Sequence, residues 1–80
     1  MKRTEISKIE FKNRIREFRL EKRLSQTALA KLSFTTQNTI SSIETGQYSP
    51  SAYLSGLICK ALNCKWEDCF YYEKDKNQSL

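Results

Sequence analysis

The fold of this chain is decided by residues 24–46, LSQTALAKLSFTTQNTISSIETG. The stretch opens with a short helical pattern that Ser25 is placed to cap at its N-terminus. Leu29 and Ala30 give this first pattern one apolar side. We therefore predict a short helix over about residues 26–33 that packs through that side.

A second helical pattern follows after a tight turn. A threonine pair ending at Thr36 can cap its N-terminus, and Ile40 with Ile43 form its apolar stripe. Gly46 stands where a left-handed residue commonly ends a helix. The sequence thus predicts two short helices held close together by their connection.

The outer face of the second helix is polar and nearly uncharged. Its side chains are Gln37, Asn38, Ser41 and Ser42. Each of them carries hydrogen-bond donors and acceptors. Gln and Asn can form paired hydrogen bonds with adenine, and Ser can bond several bases, so this face suits the major groove of duplex DNA. An ordinary solvated helix face is the alternative.

The same stretch resembles the helix-turn-helix of the phage repressor and Cro family, also called XRE-type regulators. The resemblance covers roughly residues 13–70. It rests on residue types at fixed spacing, namely Gln26, Leu29, Ala30, the TTQNTI run at 35–40, Glu44 and Gly46. It implies an all-α, compact five-helix domain with the helix-turn-helix at helices 2 and 3. It also implies a sequence-specific transcriptional regulator, which we expect to be a repressor that binds double-stranded DNA with the recognition helix 36–45 in the major groove.

Chain length and composition agree with a small helical domain. Eighty residues allow one domain, and only two glycines and one proline argue against a turn-rich β fold. We divide the chain into an N-terminal arm (1–10), the DNA-binding domain (11–72) and a flexible tail (73–80).

The net charge of +5 is unevenly distributed. Residues 1–24 carry nine Lys or Arg and four Glu, whereas residues 25–80 carry five basic and five acidic residues. An excess of this kind favours a phosphate backbone or an anionic membrane surface as partner. A solvated basic face without a partner is the alternative.

Helix 1 is expected to start at Asn13, a potential cap, and to run to about Lys22. Its apolar face is expected to consist of Phe11, Ile15 and Phe18. Arg19 lies next to this face. The resemblance implies a structural ion pair between Arg19 and Glu44 of the recognition helix, and two unconnected surface charges are the alternative.

The resemblance also assigns the DNA contacts. The N-terminal end of the recognition helix reaches the base edges, so Gln37 and Asn38 are the main expected readers, with Ser41 and Ser42 one turn further on. The expected phosphate contacts are Gln26, Thr36, Gln47, Tyr48, Ser49 and Arg19. Because the reading face lacks charge, affinity should come largely from phosphate contacts and should fall steeply with added salt.

Two positions depart from the family pattern. Phe34 and Arg23 stand where the family often has glycine, which adopts positive φ without steric cost. A bulky residue in that conformation costs about 1–2 kcal/mol. Either the turn at Phe34 is rebuilt or the strain is tolerated.

The C-terminal part is expected to form helix 4 over 52–62, with Ser49 or Ser51 as its cap, then a left-handed Asn63 and helix 5 over 65–70. The aromatic residues gather there, and the resemblance implies that this end forms a homodimer interface. The expected interface residues are Trp66, Phe70, Tyr71 and Tyr72. A two-fold dimer would place its recognition helices ~34 Å apart on a near-palindromic site. The runs KIEFKN and FYYEKD could pair as terminal strands, as in some small relatives.

Three cysteines and no histidine are present. Cys59, Cys64 and Cys69 are spaced by five residues without a Cys-x-x-Cys pair, so we expect reduced core cysteines, no metal site and no cofactor. A nucleophile paired with a base is not visible, so we expect no enzyme and no small-molecule ligand. The chain also lacks an apolar run long enough for a membrane span or a signal peptide, which predicts a cytoplasmic location.

Two other functions remain open from the sequence. One is a protein-binding module, such as the antitoxin of a toxin pair that also represses its own operon. The other is a membrane-surface helix over residues 8–23, although its apolar face is small.

Overall fold

The computed structural model describes residues 9–74, which form five helices and two strands. In chain order these are β1 (Ile9–Asn13), α1 (Ile15–Glu21), α2 (Gln26–Leu32), α3 (Gln37–Glu44), α4 (Ala52–Leu62), α5 (Trp66–Cys69) and β2 (Phe70–Lys74). The five expected helices are present, with the helix-turn-helix at α2 and α3. The described chain is not purely α-helical, because β1 and β2 form a small sheet.

The two strands pair antiparallel, with Phe11 opposite Tyr72. The terminal strand pairing that the sequence left open is therefore present. β1 begins within the span expected as an arm (1–10), and β2 ends within the expected tail (73–80). The other residues of both spans lie outside the described part of the chain.

Phe11 belongs to β1, so its assignment to the apolar face of helix 1 was wrong. Its ring stacks on Phe70 with 5.6 Å between centroids and lies 6.0 Å from the ring of Trp66. The apolar spacing that suggested a helix instead continues from a strand into α1. Strand pairing with β2 and aromatic packing decide the conformation here.

Helix α1 starts later than expected. Arg14 occupies the N-cap position, so the assignment of Asn13 as the cap was wrong. The Asn13 side chain still accepts a hydrogen bond from the Ile15 N–H at 3.1 Å, and it donates to the Ile43 carbonyl at 3.0 Å. Asn13 therefore ties the start of α1 to the core side of α3.

Three helices begin at the expected hydroxyl caps. In each, the hydroxyl oxygen accepts a hydrogen bond from the N–H three residues on: Ser25 from Ala28 at 2.9 Å, Thr36 from Thr39 at 3.2 Å and Ser51 from Leu54 at 3.1 Å. A cap of this type stabilises a helix by about 1 kcal/mol. The caps fix where α2 and α3 start, and hence which residues share each face.

Left-handed residues end four of the helical segments. Gly46 (φ +83°) and Asn63 (φ +55°) confirm the expected stops. Arg23 (φ +57°) and Phe34 (φ +59°) adopt the same conformation without being glycine. The turn at Phe34 is thus not rebuilt, and the backbone strain is tolerated. The Phe34 side chain is 84% exposed, so it gains little from burial in return.

The helices pack around one apolar core, in which α3 lies against α2. Its fully or nearly buried apolar residues are Ile15, Leu29, Ala30, Ile40, Ile43, Ile58, Cys59, Leu62, Cys69 and Phe70. Full burial of an Ile or Leu side chain contributes about 1.5–3 kcal/mol. Because Ile40 and Ile43 are both fully buried, α3 cannot rotate without exposing them.

The longest helix, α4, spans 11 residues. It buries Ile58 and Leu62 against the core and supports the other helices. Among residues 9–74, no helix is both long and apolar enough to cross a bilayer.

Candidate nucleic-acid interface

The polar face of α3 points away from the core. Gln37 and Asn38 are exposed at its first turn, and Ser41 and Ser42 are half-buried one turn later. The fully buried Ile40 and Ile43 on the opposite side hold this orientation. Four side chains with free hydrogen-bonding groups therefore lie along one side of a fixed helix.

A chain of hydrogen bonds runs from this face into the interior. The Nε2 of Gln37 donates to Oε1 of Gln26 at 2.7 Å, and the Nε2 of Gln26 donates to Oε1 of Glu44 at 3.0 Å. Glu44 in turn accepts from Arg19, from Nε at 2.6 Å and from Nη2 at 3.1 Å. The side chain at the start of α3 is thereby positioned by the start of α2.

The Arg19 guanidinium is enclosed. Arg19 is 7% exposed, and its third nitrogen, Nη1, donates to the Leu24 carbonyl at 2.9 Å. The side chains of Arg19 and Glu44 are 9% and 4% exposed in the ion pair. The expectation that Arg19 contacts a DNA phosphate was therefore wrong, because all three nitrogens are engaged inside the protein. The structure confirms the expected ion pair between Arg19 and Glu44.

Gln26 keeps one free amide proton. Its Oε1 accepts from Gln37 and one Nε2 proton goes to Glu44, so the second Nε2 proton remains available. Gln26 is half-buried at the N-terminus of α2. A phosphate at this position could accept that proton and would also meet the positive end of the α2 dipole.

The loop after α3 lies beside the reading face. The Ser42 carbonyl accepts the N–H groups of both Gln47 (2.9 Å) and Tyr48 (3.2 Å), which fixes the loop to the end of α3. Gln47, Tyr48 and Ser49 are exposed. Tyr48 lines a shallow cleft together with Asn38 and Ser42. The loop candidates and the base-reading candidates therefore share one surface.

Thr36 is exposed but partly occupied. Its hydroxyl caps α3 and also lies 2.9 Å from the hydroxyl of Thr39. A contact from Thr36 to a phosphate would be the third hydrogen bond of its hydroxyl group.

The four aromatic residues expected at a dimer interface differ in exposure. Phe70 is 1% exposed and belongs to the core, so its assignment to an interface was wrong. Tyr71 is half-buried and has the Arg14 guanidinium 4.0 Å from its ring centroid. Trp66 is 41% exposed, although its Nε1 donates to the Ser55 hydroxyl at 3.0 Å, and Tyr72 is 67% exposed. Trp66 and Tyr72 are the members with surface left to bury.

Two features were missed in the sequence, one at the site and one away from it, where the sulfur atoms of the three cysteines lie within 4.8 Å of one another. The Gln37 to Gln26 hydrogen bond could have been found, because the two glutamines occupy the first positions of consecutive helices in a tight turn. The meeting of the three cysteine side chains could not, because it depends on the turn between α4 and α5. Burial raises the pKa of the Cys59 thiol to about 12 and also raises that of Cys69.

The arrangement of α2, the turn and α3 is that of a helix-turn-helix DNA-binding domain, with α3 as the helix that can enter a groove. A family model for the helix-turn-helix matches residues 15–69, from the first residue of α1 to the last residue of α5. The chain belongs to the XRE-type helix-turn-helix family of DNA-binding transcriptional regulators.

The matches to two sequence relatives extend over nearly the whole length of each relative. The HTH-type transcriptional regulator YgzD of Bacillus subtilis (strain 168) is 39% identical over 64 residues, which is 80% of this chain and 97% of the relative. An HTH-type transcriptional regulator of Methanocaldococcus jannaschii is 40% identical over 65 residues, covering 81% and 98% of the two chains.

Solved structures share the fold. The restriction-modification controller protein C.AhdI from Aeromonas hydrophila superposes with a TM-score of 0.65 and 31% identity, over 68% of this chain and 78% of that one. The clp gene regulator ClgR from Corynebacterium glutamicum gives a TM-score of 0.65 and 30% identity, over 68% and 57% of the two chains.

Proposed function

We propose that this regulator is a homodimeric repressor that reads a near-palindromic operator with α3 in the major groove. The observation that carries the proposal is the exposed Gln37 amide, oriented by Gln26 through a 2.7 Å hydrogen bond. A reading side chain that is held before binding loses less conformational freedom when DNA is bound. The proposal places the protein in the cytoplasm, where the DNA lies.

The hydrogen bond to Gln26 leaves Gln37 with the donor and the acceptor that adenine requires. One Nε2 proton is used by Gln26, which leaves the second Nε2 proton and Oε1. Adenine presents an acceptor at N7 and a donor at N6 in the major groove, and a glutamine amide can bond both. Asn38, exposed next to Gln37, can read a neighbouring base in the same way. Ser41 and Ser42 lie further along the helix and complete the reading face.

Contacts to phosphates hold the domain in register. Gln26, Thr36, Gln47, Tyr48 and Ser49 surround the reading face and carry no charge. Hydrogen bonds to phosphate oxygens set orientation but not sequence. The excess positive charge of residues 1–24 supplies a long-range attraction. Binding of this kind weakens as salt is added, because each neutralised phosphate releases condensed counterions.

The dimer contact is assigned to the terminal sheet and α5. Trp66, Tyr72 and Ile9 leave apolar surface exposed there, with Ile9 62% exposed. Tyr71, next to Tyr72 on β2, points to the opposite face of the sheet, where the Arg14 guanidinium lies 4.0 Å from its ring centroid. A two-fold axis through this end would present two α3 helices about one DNA turn, or ~34 Å, apart.

Selection from random DNA duplexes by gel shift tests the proposal. A homodimeric regulator should enrich an inverted repeat whose half-sites are centred about one helical turn apart. A protein-binding module without a specific operator, or a helix that binds membranes, should enrich no sequence. Recovery of a single half-site without symmetry would contradict the dimer but not α3 as the reading element.

A further inference from the structure

The three cysteines of the chain meet at one place, outside the DNA-binding surface. Cys59 lies near the end of α4, Cys64 follows in the connecting turn and Cys69 ends α5. All three thiols are free, and their sulfur atoms lie within 4.8 Å of one another. Every cysteine in the sequence therefore contributes to a single cluster, which we term the thiol cluster.

The backbone explains why residues spaced by five converge. Asn63 adopts the left-handed conformation directly after α4 and reverses the chain. The N–H of Cys64 then donates to the Cys59 carbonyl at 3.0 Å, which returns Cys64 to the last turn of α4. The short α5 brings Cys69 back to the same position. The wide sequence spacing, which argued against a metal site, is thus compensated by two turns of the chain.

We propose that the thiol cluster binds one divalent ion of the zinc group through three thiolates. Zn²⁺ is the ion that we expect to bind. Thiolate sulfur is the ligand type that selects thiophilic ions of this kind. With Zn–S bonds of ~2.3 Å in a tetrahedral arrangement, the three sulfurs would be about 3.8 Å apart. The cluster must therefore contract by about 1 Å at most, which rotation of the half-buried Cys64 can supply.

The surroundings of the cluster suit such an ion. Cys59 and Cys64 border a surface cleft that also contains Lys60, Lys65 and Asp68, so an ion can enter from solvent. Three thiolates around a divalent ion leave one negative charge, which the two lysines offset. Water or the carboxylate of Asp68, which lines the same cleft as Cys59 and Cys64, would supply the fourth ligand. Three protons leave the thiols for solvent as the three metal–sulfur bonds form.

A bound ion would connect the end of α4 to the end of α5. Cys69 is followed directly by β2, so the ion would fasten the terminal sheet to the helical core. The alternative is that three small apolar side chains merely fill space. Burial alone does not explain the cluster, since Cys64 is only half-buried and borders the open cleft.

Titration of the untagged, reduced protein with Cd²⁺ provides the test. Cadmium is a spectroscopic substitute for zinc, because thiolate-to-cadmium charge transfer absorbs in the ultraviolet. Since the sequence has no histidine, a signal of this kind reports the cysteines. We expect absorbance that saturates at one ion per chain and that excess Zn²⁺ removes. A titration without saturation, or one that saturates at half an ion per chain because two chains share it, would overturn the proposal.

Two variants at the most accessible cysteine separate ligation from packing. Cys64→Ser should weaken the affinity for Cd²⁺ strongly, because a metal ligand is lost. Removing a residue that only hydrogen-bonds to a ligand costs roughly 10–100-fold in metal affinity, and the loss here should be larger. Cys64→His, which offers an imidazole nitrogen, should recover part of that loss. Zn²⁺ should raise the melting temperature of the original chain but not that of Cys64→Ser. Equal Cd²⁺ affinity in Cys64→Ser and the original chain would overturn the proposal, and circular dichroism shows whether each variant is folded.

The test is independent of the DNA-binding proposal. Cys64 lies in the turn after α4, and the reading face lies on α3. Metal-free Cys64→Ser should shift the selected operator at the same concentration as the original chain. Failure to bind DNA would thus leave the metal titration intact, and the reverse also holds.

Discussion

Arg19 and Glu44 form a two-point ion pair inside the domain, with Nε of Arg19 2.6 Å from Oε2 of Glu44 and Nη2 3.1 Å from Oε1. The pair joins α1 to the end of α3, and Glu44 also accepts from Gln26 at the start of α2. Three helices therefore meet at one carboxylate. Its loss would affect both the stability of the domain and the position of the reading helix.

Replacing one member of this pair should destabilise the protein strongly. Arg19→Met or Glu44→Leu leaves one enclosed charge without a partner, which costs about 3–5 kcal/mol. Urea unfolding of both single variants and the double variant gives the coupling between the residues. The exposed pair Lys12 and Glu73, 3.2 Å apart, is the matched control and should couple by less than about 1 kcal/mol. Equal coupling in the two pairs would contradict the structural role of Arg19.

Replacing Phe34 with glycine should stabilise the domain. The residue holds φ at +59° and is 84% exposed. Removing the side chain relieves a backbone strain of about 1–2 kcal/mol. Glycine also has more conformational freedom in the unfolded chain, which offsets part of this gain in stability. We expect a net gain of about 1 kcal/mol in the free energy of unfolding. Lys31→Gly, at an exposed position inside α2, is the control and should lose about 1 kcal/mol. A loss of stability in Phe34→Gly would show that the ring is needed by the fold.

High pH should destabilise the metal-free protein through Cys59. Burial raises the pKa of this thiol from 9.0 to about 12, and Cys64 beside it adds to the effect. Its stabilising contribution is complete below pH 9, where the thiol keeps its proton in both states. Above that value only the unfolded chain loses the proton, so the free energy of unfolding falls by up to about 1.4 kcal/mol per pH unit. Stability in urea should thus change less between pH 8 and pH 10.5 in Cys59→Ala than in the original chain, because the variant lacks this thiol and also lacks its contribution to the raised pKa of Cys69. Parallel pH profiles would contradict this account.

Tyr72 should contribute to self-association. It is 67% exposed on β2, beside the partly exposed Trp66. Tyr72→Ala should weaken the dimer by about 2 kcal/mol, the scale of a central aromatic residue in an interface. Sedimentation equilibrium measures this directly. Tyr53→Ala, at an exposed position on α4, is the control and should leave the dimer unchanged. If both variants behave alike, the interface lies elsewhere.

The sequence predicted the parts of the structure that local chemistry determines. Hydroxyl caps at Ser25, Thr36 and Ser51 and left-handed stops at Gly46 and Asn63 each depend on a few neighbouring residues, and all five are confirmed. Local signals of this kind also placed the helix-turn-helix.

Errors arose where distant residues decide the outcome. Phe11 was assigned to helix 1 because its spacing to Ile15 and Phe18 fits a helix face, whereas its strand conformation is decided by pairing with β2, about sixty residues away. Phe70 was assigned to an interface because a sequence pattern does not show which of several aromatic residues fills the core. Arg19 was given a phosphate contact because its enclosure by Glu44 and Leu24 depends on tertiary packing. The meeting of the cysteines has the same origin.

Operator selection with Gln37→Ala tests most directly whether Gln37 reads a base. We expect the variant to lose preference at one or two base pairs of each half-site, with a cost of about 1–3 kcal/mol at the original operator. Gln47→Ala, at a loop position expected to contact phosphate, is the control and should weaken all sites alike while keeping the sequence preference. Full retention of the original preference by Gln37→Ala would contradict the account.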